Sequence, residues 1–289
     1  MTEPVLIGII GGSGLYNMPE LTDVTHQPMD TPFGKPSADV VIGTLRGKRV
    51  AFLPRHGVGH VFTPSTVPYR ANICALKMLG VRQIIGVSAC GSLREDYAPG
   101  DIVLPDQLFD NTRGSRPRTF FDTGLVAHVS VADPFCGYLN GVTAEAVEAA
   151  GGTVHRGGTF ITIEGTRFST RAESAAFRQW GMSIIGMTTS PEAFLAREAE
   201  MCYVSMSHVT DYDVWHISEE AVTVDKVIAT MRHNLSVAQG AVARVVETLD
   251  EHRDCDCHRA LDNAIMTDPA VIAPEVLERM RPIVGRLFN

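Results

Sequence analysis

Residues 5–10 are a short run of branched apolar side chains that ends in Gly11-Gly12-Ser13-Gly14. A strand that is apolar at successive positions has no face for water, so it belongs in the middle of a sheet covered on both sides. The pattern recurs. Residues 40–42 and 49–53 read as a hairpin turned at Arg46-Gly47-Lys48 and broken by Pro54-Arg55-His56-Gly57. Residues 84–88 give another strand, 153–155 and 159–163 two more pieces, and 203–209 a further one that runs into Thr210-Asp211-Tyr212-Asp213. Helices fall between them. Thr63-Pro64 reads as cap and first turn of a helix that stops at Gly80, residues 138–150 close on Gly151-Gly152, and Ser190-Pro191-Glu192 opens a helix to about Glu200. Residues 223–249 repeat apolar side chains at three-four spacing, as a long amphipathic helix does. The alternation predicts a single α/β domain.

With 289 residues and 45% hydrophobic content the chain can bury a sizeable core. Its net charge of −8, without any basic run, argues against nucleic acid as a partner, because that binding rests on clustered Lys and Arg. No stretch approaches the roughly 18 apolar residues of a membrane span. Met-Thr-Glu-Pro-Val lacks the cationic start of a signal peptide, so a cytoplasmic protein is expected. Cys74, Cys90, Cys136 and Cys202 are scattered and only Cys255 and Cys257 are close, which suits reduced thiols.

Polar clusters sit at the strand ends. The glycine turn at 11–14 fits neither a dinucleotide fingerprint, since Asn17 stands where a small residue is needed, nor a P-loop, since Gly-Lys-Ser/Thr is absent. A phosphate loop with Ser13 as hydroxyl donor and a plain tight turn both remain. Arg55-His56 offers a guanidinium and an imidazole suited to a phosphate, although alone such a pair is more often a surface feature. Ser88-Ala89-Cys90-Gly91-Ser92 and Met187-Thr188-Thr189 add hydroxyls and backbone donors. Ligands of open α/β sheets bind at such an edge, which would gather Ser13, Arg55, His56, Ser88 and Thr188. Two carboxylates, Asp211 and Asp213, end what reads as a core strand, where burial is costly unless a ligand pairs with them.

Taken in order, Gly-Ile-Ile-Gly-Gly-Ser-Gly-Leu at 8–15, Asp-Thr-Pro-Phe-Gly-Lys-Pro-Ser at 30–37, Arg-His-Gly at 55–57, Ala-Cys-Gly-Ser-Leu-Arg-Glu at 89–95, Thr-Ile-Glu-Gly-Thr-Arg-Phe-Ser at 162–169 and Thr-Asp-Tyr-Asp at 210–213 resemble the methylthioadenosine phosphorylase family. This family lies within the trimeric class of the purine nucleoside phosphorylase superfamily, and the resemblance covers about residues 5–248. It implies the purine nucleoside phosphorylase fold, a single domain of three layers, α/β/α, around a central mixed twisted sheet, and an inorganic phosphate that attacks C1' of the nucleoside, releasing adenine and 5-methylthioribose 1-phosphate. The implied phosphate site is Ser13, Arg55, His56, Ser88, Ala89 and Thr188. Met187 is implied under the ribose and Phe168 on the purine, with Ser169 tuning preference. Asp211 would serve N7 and Asp213 the 6-amino group, with Tyr212 between them. Val224, Val227 and His60 are implied around the 5'-methylthio group, with His128 arriving from a neighbouring subunit of a homotrimer or a dimer of trimers. No metal or organic cofactor is implied; phosphate is a co-substrate.

The likeness fades after residue 250, which divides the chain into a phosphorylase domain, 1–250, and a divergent C-terminal helical extension, 251–289, packed on it. His252, Cys255, Cys257 and His258 would be four ligands in seven residues, but the spacing lacks the Cys-x2-Cys turn of zinc sites, so a disulfide or a solvated turn is the expectation. The resemblance also brings Cys136 towards Cys202, as in disulfide-bearing relatives, with free thiols expected in a reducing compartment. Alternatives are a broader purine nucleoside phosphorylase or a methylthioinosine phosphorylase, both disfavoured by the acidic pair, and a non-catalytic nucleotide-binding protein on the same fold.

Overall fold

The structure is a computed structural model that describes residues 4–12, 14, 15, 17–114, 116–216 and 224–288, with the backbone alone over 224–234. Its strands are β1 (Ile7–Gly11), β2 (Thr22–Gln27), β3 (Val40–Leu45), β4 (Lys48–Pro54), β5 (Gln83–Ser92), β6 (Ile102–Leu104), β7 (Gln107–Asn111), β8 (Val154–Arg156), β9 (Thr159–Ile163), β10 (Ile184–Gly186) and β11 (Cys202–Asp211). The helices are α1 (Tyr69–Met78), α2 (Gly137–Ala149), α3 (Arg171–Gln179), α4 (Thr189–Glu198), α5 (Val224–Thr248) and α6 (Pro274–Val284). The sheet runs β2-β3-β4-β1-β5-β10-β9-β7, with β11 also paired to β5 and continuing through β6 to β8. It is mixed, as expected. β1 is parallel to β4 and β5, and β5 to β11, while β3 to β4 and β10 to β5 are antiparallel.

Alternation within the buried strands assigns their side chains to two cores. Ile10, Ile84 and Tyr203 face the core that contains Ile73 of α1, Leu195 of α4 and Met280 of α6. Ile9, Ile85, Val204 and Met206 face the one that contains Leu139 of α2 and Val242 of α5. Two helix layers therefore sandwich the sheet, which requires strands without a polar face. The extension joins the first core directly: Met280, Ile283 and Val284 pack in the same cluster as Ile73 and Leu76 of α1.

One helix start differs from the sequence reading. The Thr63 hydroxyl meets that of Thr66 at 2.9 Å in a local turn, the Pro64 carbonyl accepts from Tyr69 Oη at 2.7 Å, and α1 begins only after Pro68. Thr and Pro are as much at home in a turn as in a first helical turn, and here the competing side-chain bond wins. Helix α4 does run on from Pro191, but Ser190 supplies no side-chain cap; it is extended (φ −98, ψ 132), and its amide donates to Thr162 Oγ1.

Candidate active site

Strands β1, β4, β5 and β11 point their C-terminal ends to one edge of the sheet, and a cavity of 580 Å³ lies there. Each element contributes from its end. Gly11 ends β1 and Gly12 follows it, Arg55 and His56 follow β4, Ser88 to Gly91 belong to β5, Met187 and Thr188 follow β10, and Asp211 ends β11 with Asp213 just beyond it. Phe168 and Ser169, from the loop between β9 and α3, and Leu235 and Ala238, from α5, complete the apolar part of the wall.

Arg55 is 3% exposed and already engaged by the protein. Its Nε donates to Glu192 Oε2 and its Nη2 to Glu192 Oε1, both at 2.7 Å, while Nη1 donates to the Val87 carbonyl at 2.9 Å and Nη2 to the Ile10 carbonyl at 3.4 Å. Of five guanidinium hydrogens this leaves one, on Nη1, for a ligand. Burial works against the charge, but the Glu192 carboxylate overcomes it and raises Arg55 further. Glu192 also accepts from Tyr203 Oη at 2.7 Å. That hydroxyl reaches it only because position 86 lacks a side chain: a Cβ there would lie 2.2 Å from Tyr203 Oη.

His56 stacks on His60 with ring centroids 4.2 Å apart, and its Nδ1–H is directed at the Phe62 carbonyl 2.8 Å away. Burial lowers it to about 4, so at neutral pH Nε2 is a lone-pair acceptor. Ser88, Ala89 and Thr188 line the same cavity, as does His60. Ser13 lies outside the described residues, although Gly12 and Gly14 on either side of it line the cavity.

The carboxylates are set by a local irregularity. β11 pairs with β5 from Cys202↔Gln83 onward, and the register shifts between Val209 and Asp211, which places Asp211 opposite Gly91. Such a bulge re-aims the side chains beyond it. Asp211 Oδ2 accepts from Thr210 Oγ1 at 2.7 Å and Oδ1 from the Asp213 amide at 2.8 Å. Asp213 adopts φ +51, which aspartate tolerates, and is 6% exposed, with a buried Oδ2 that has no hydrogen-bond partner among the described residues. Burial raises it above the usual carboxylate range, and the neighbouring Asp211 charge adds to the effect. Gly91 makes room for both: a Cβ there would come within 3.0 Å of Asp211 Oδ1 and 3.3 Å of Asp213 Cβ. Arg55 contacts the sheet at Val87, four residues before Gly91, so the cation and the acidic pair stand about 13 Å apart along β5. That is enough for an anion, a sugar and a base in line.

Met187, Phe168 and Ser169 line the cavity between those ends. The hydroxyl of Ser169 is buried without a partner among the described residues, as are both ring nitrogens of His208. Tyr212 is not in the lining; it stacks on His216 and its hydroxyl lies 3.4 Å from the Glu95 carbonyl. His128 is exposed and also outside the lining. The side chains of Val224 and Val227 lie outside the described residues, and Leu235 and Ala238 supply the described part of the α5 wall.

Sequence reasoning missed the residues that hold the site together. Glu192 reads in the sequence only as part of a helix start, and Arg116, Tyr203, His208 and Gln239 carry no site signal there. Arg116 pins Glu164 through Nε and Nη2 and the carbonyls of Met187 and Ser190 through Nη1 at 2.6 and 2.9 Å. Burial opposes the Glu164 charge, but bonds from Ser65, the Arg113 amide and Arg116 prevail and bring it to about 2. Gln239 of α5 holds the glycine turn by its carbonyls at Gly14 and Asn17. One signal was legible: a carboxylate beside the apolar helical segment Ala193-Phe194-Leu195-Ala196 needs a buried cation, and Arg55 was the candidate already in view.

Comparison with known proteins gives a consistent set of relatives. A family model described as the phosphorylase superfamily matches residues 6–247. The S-methyl-5'-thioadenosine phosphorylase of Chloroflexus aurantiacus is 54% identical over 283 residues, 98% of either chain, and that of Geobacter sulfurreducens 51% over 280 residues, 97% of this chain and 98% of the relative. Among solved structures, a methylthioadenosine phosphorylase sourced from an antarctic soil metagenomic library superposes with a TM-score of 0.93 at 46% identity, over 97% of this chain and 99% of that one. A mutant of the adenosine/methylthioadenosine phosphorylase from Schistosoma mansoni, in complex with methylthioadenosine, gives 0.82 at 36% identity over 89% of this chain and 95% of that one.

Proposed function

The chain belongs to the phosphorylase superfamily, and from that premise we infer that it cleaves S-methyl-5'-thioadenosine with inorganic phosphate to give adenine and 5-methylthioribose 1-phosphate. It is a pentosyltransferase of purine and methionine salvage. The observation that carries the reading is the single cavity with Arg55, His56, Ser88 and Thr188 towards one end and Asp211 and Asp213 towards the other.

Phosphate would take the last Arg55 hydrogen, the hydroxyls of Ser88 and Thr188, the Ala89 backbone and Ser13. A phosphate oxygen attacks C1', the C1'–N9 bond breaks with its electron pair passing to the purine, and the base leaves once N7 carries a proton. Asp211, oriented by two hydrogen bonds, serves N7 by sharing that proton. The 6-amino group donates to the unpartnered Oδ2 of Asp213, which a 6-oxopurine would instead confront with a carbonyl. As the ribose becomes oxocarbenium-like, the bound anion stabilises its charge. Met187 lies under the sugar, Phe168 covers the base, Ser169 tunes the base pocket, and Val224, Val227, His60 and the apolar α5 wall receive the methylthio group. These steps draw on protein groups and phosphate, with no cofactor.

His128, exposed and away from the lining, is available to a neighbouring subunit, in keeping with a homotrimer or a dimer of trimers. The partners are a nucleoside and phosphate rather than nucleic acid or membrane; among the described residues no helix is long and apolar enough to cross a membrane. Six unbridged cysteines suit the cytoplasm. The test is release of free base from methylthioadenosine, adenosine, methylthioinosine and inosine with and without phosphate. Phosphate-dependent adenine release, fastest from methylthioadenosine, is expected; equal turnover of inosine overturns the reading.

A further inference from the structure

Far from the cavity, the fold assembles four sulfurs. Cys136 stands at the N-cap of α2, Cys202 opens β11, and Cys255 and Cys257 flank Asp256 in the turn that begins the extension. Their Sγ atoms all lie within 4.8 Å of one another, with Cys136 to Cys255 at 3.8 Å. Around a tetrahedral zinc with bonds of about 2.3 Å, neighbouring sulfurs are about 3.8 Å apart. Three of the four are buried and Cys255 is partly so.

The surroundings favour sulfur as thiolate. Arg197 Nη1 donates to Cys257 Sγ at 3.3 Å. The Nδ1 of His258 accepts from Arg82 Nη2 at 2.7 Å, so its hydrogen is on Nε2, which lies 3.6 Å from Cys202 Sγ and 3.3 Å from the Arg82 carbonyl. A guanidinium and an N–H aimed at sulfur do little for a neutral disulfide but offset the charge of a metal tetrathiolate, as outer-shell partners do.

We propose that Cys136, Cys202, Cys255 and Cys257 bind one zinc-class divalent cation per chain, a closed structural site that staples the C-terminal extension to β11 and α2. The cation replaces four thiol protons, which leave to solvent, and nothing is oxidised. The Cys-x-Cys spacing that argued against zinc in the sequence supplies only half the ligands; the fold brings the other two. β11 separates Cys202 from Asp211 by its whole length, about 30 Å, so the site acts on stability and not on the reaction.

The test titrates the reduced, chelator-treated full chain with Co2+ and then Zn2+. One equivalent of Co2+ should bind with thiolate-to-metal charge-transfer absorption, zinc should displace it and raise the melting temperature, and protein isolated without chelator should carry about one zinc. Cys255→Ser and Cys257→Ser should each weaken metal binding about tenfold or more and leave kcat for methylthioadenosine unchanged, while Cys74→Ser should keep the metal. Reduced wild-type protein that takes up no cobalt, uptake that Cys255→Ser does not weaken, or isolated protein that carries two disulfides and no metal overturns the proposal. The wild-type titration decides even if a variant fails to fold.

Discussion

The two ends of the cavity are built on opposite plans. At the Arg55 end the protein satisfies its own groups: Arg55 is clamped by Glu192 and two carbonyls, and Glu192 by Tyr203. At the carboxylate end acceptors wait: Asp213 Oδ2 and Ser169 Oγ are buried without partners among the described residues. The first arrangement fixes geometry before any ligand arrives, which is how an electrostatic catalyst avoids reorganisation. The second makes the ligand complete the fold locally, which turns a missing amino group into a penalty. On the proposed function, anion placement is thus a property of the protein, and base choice a property of the complex.

Glu192→Gln strikes the first plan hardest. An uncompensated buried guanidinium costs about 3–5 kcal/mol, so a large fall in melting temperature is expected, and in protein that folds the KM for phosphate should rise more than that for the nucleoside. An unchanged melting curve would show that the clamp is not what holds Arg55. Asp211→Asn probes the second plan through chemistry: kcat/KM for methylthioadenosine should fall by roughly 10²–10⁴ with the phosphate KM little altered.

His208 lines the cavity between the two ends, buried at 1% exposure with no partner for either nitrogen among the described residues. Burial lowers it to about 4, below its ordinary 6.5, so the unfolded chain takes up the proton first as the solution is acidified. Stability is therefore full above pH 6.5 and lost as pH falls towards 4, by about 3 kcal/mol from this residue. Denaturant melts of wild type and His208→Asn across that window should converge in acid; parallel curves would contradict the assignment. The smallest effect is expected for Asp213→Asn, which should narrow the preference for adenosine over inosine by about 1–3 kcal/mol. Competition between the two nucleosides reads it directly.

What the sequence made legible follows the same division. Groups that line the cavity lie at or near the C-terminal ends of strands, and strand ends announce themselves by polar residues after apolar runs, so the sequence gathers Arg55, Ser88, Thr188 and Asp211. Groups that hold those groups sit inside elements. Glu192 and Tyr203 lie far along the chain from Arg55, the first of them 137 residues on, and look like ordinary helix and strand members until the sheet is assembled. Short or polar elements were missed as well: β2 is exposed throughout, and α3 is marked by a capping box at Thr170 and Glu173 that carries little apolar signal. The four cysteines illustrate the limit best, since their meeting depends on α2, β11 and the extension at once.

In the proposed phosphate site the neutral ring at position 56 would sort oxyanions by a rule other than charge. With Nδ1–H directed at the Phe62 carbonyl, its second nitrogen can only receive a hydrogen, and an incoming tetrahedral anion must bring one. Hydrogen phosphate does and so does hydrogen arsenate near neutrality, whereas sulfate, equal in shape and formal charge, arrives bare and sets two lone pairs against each other.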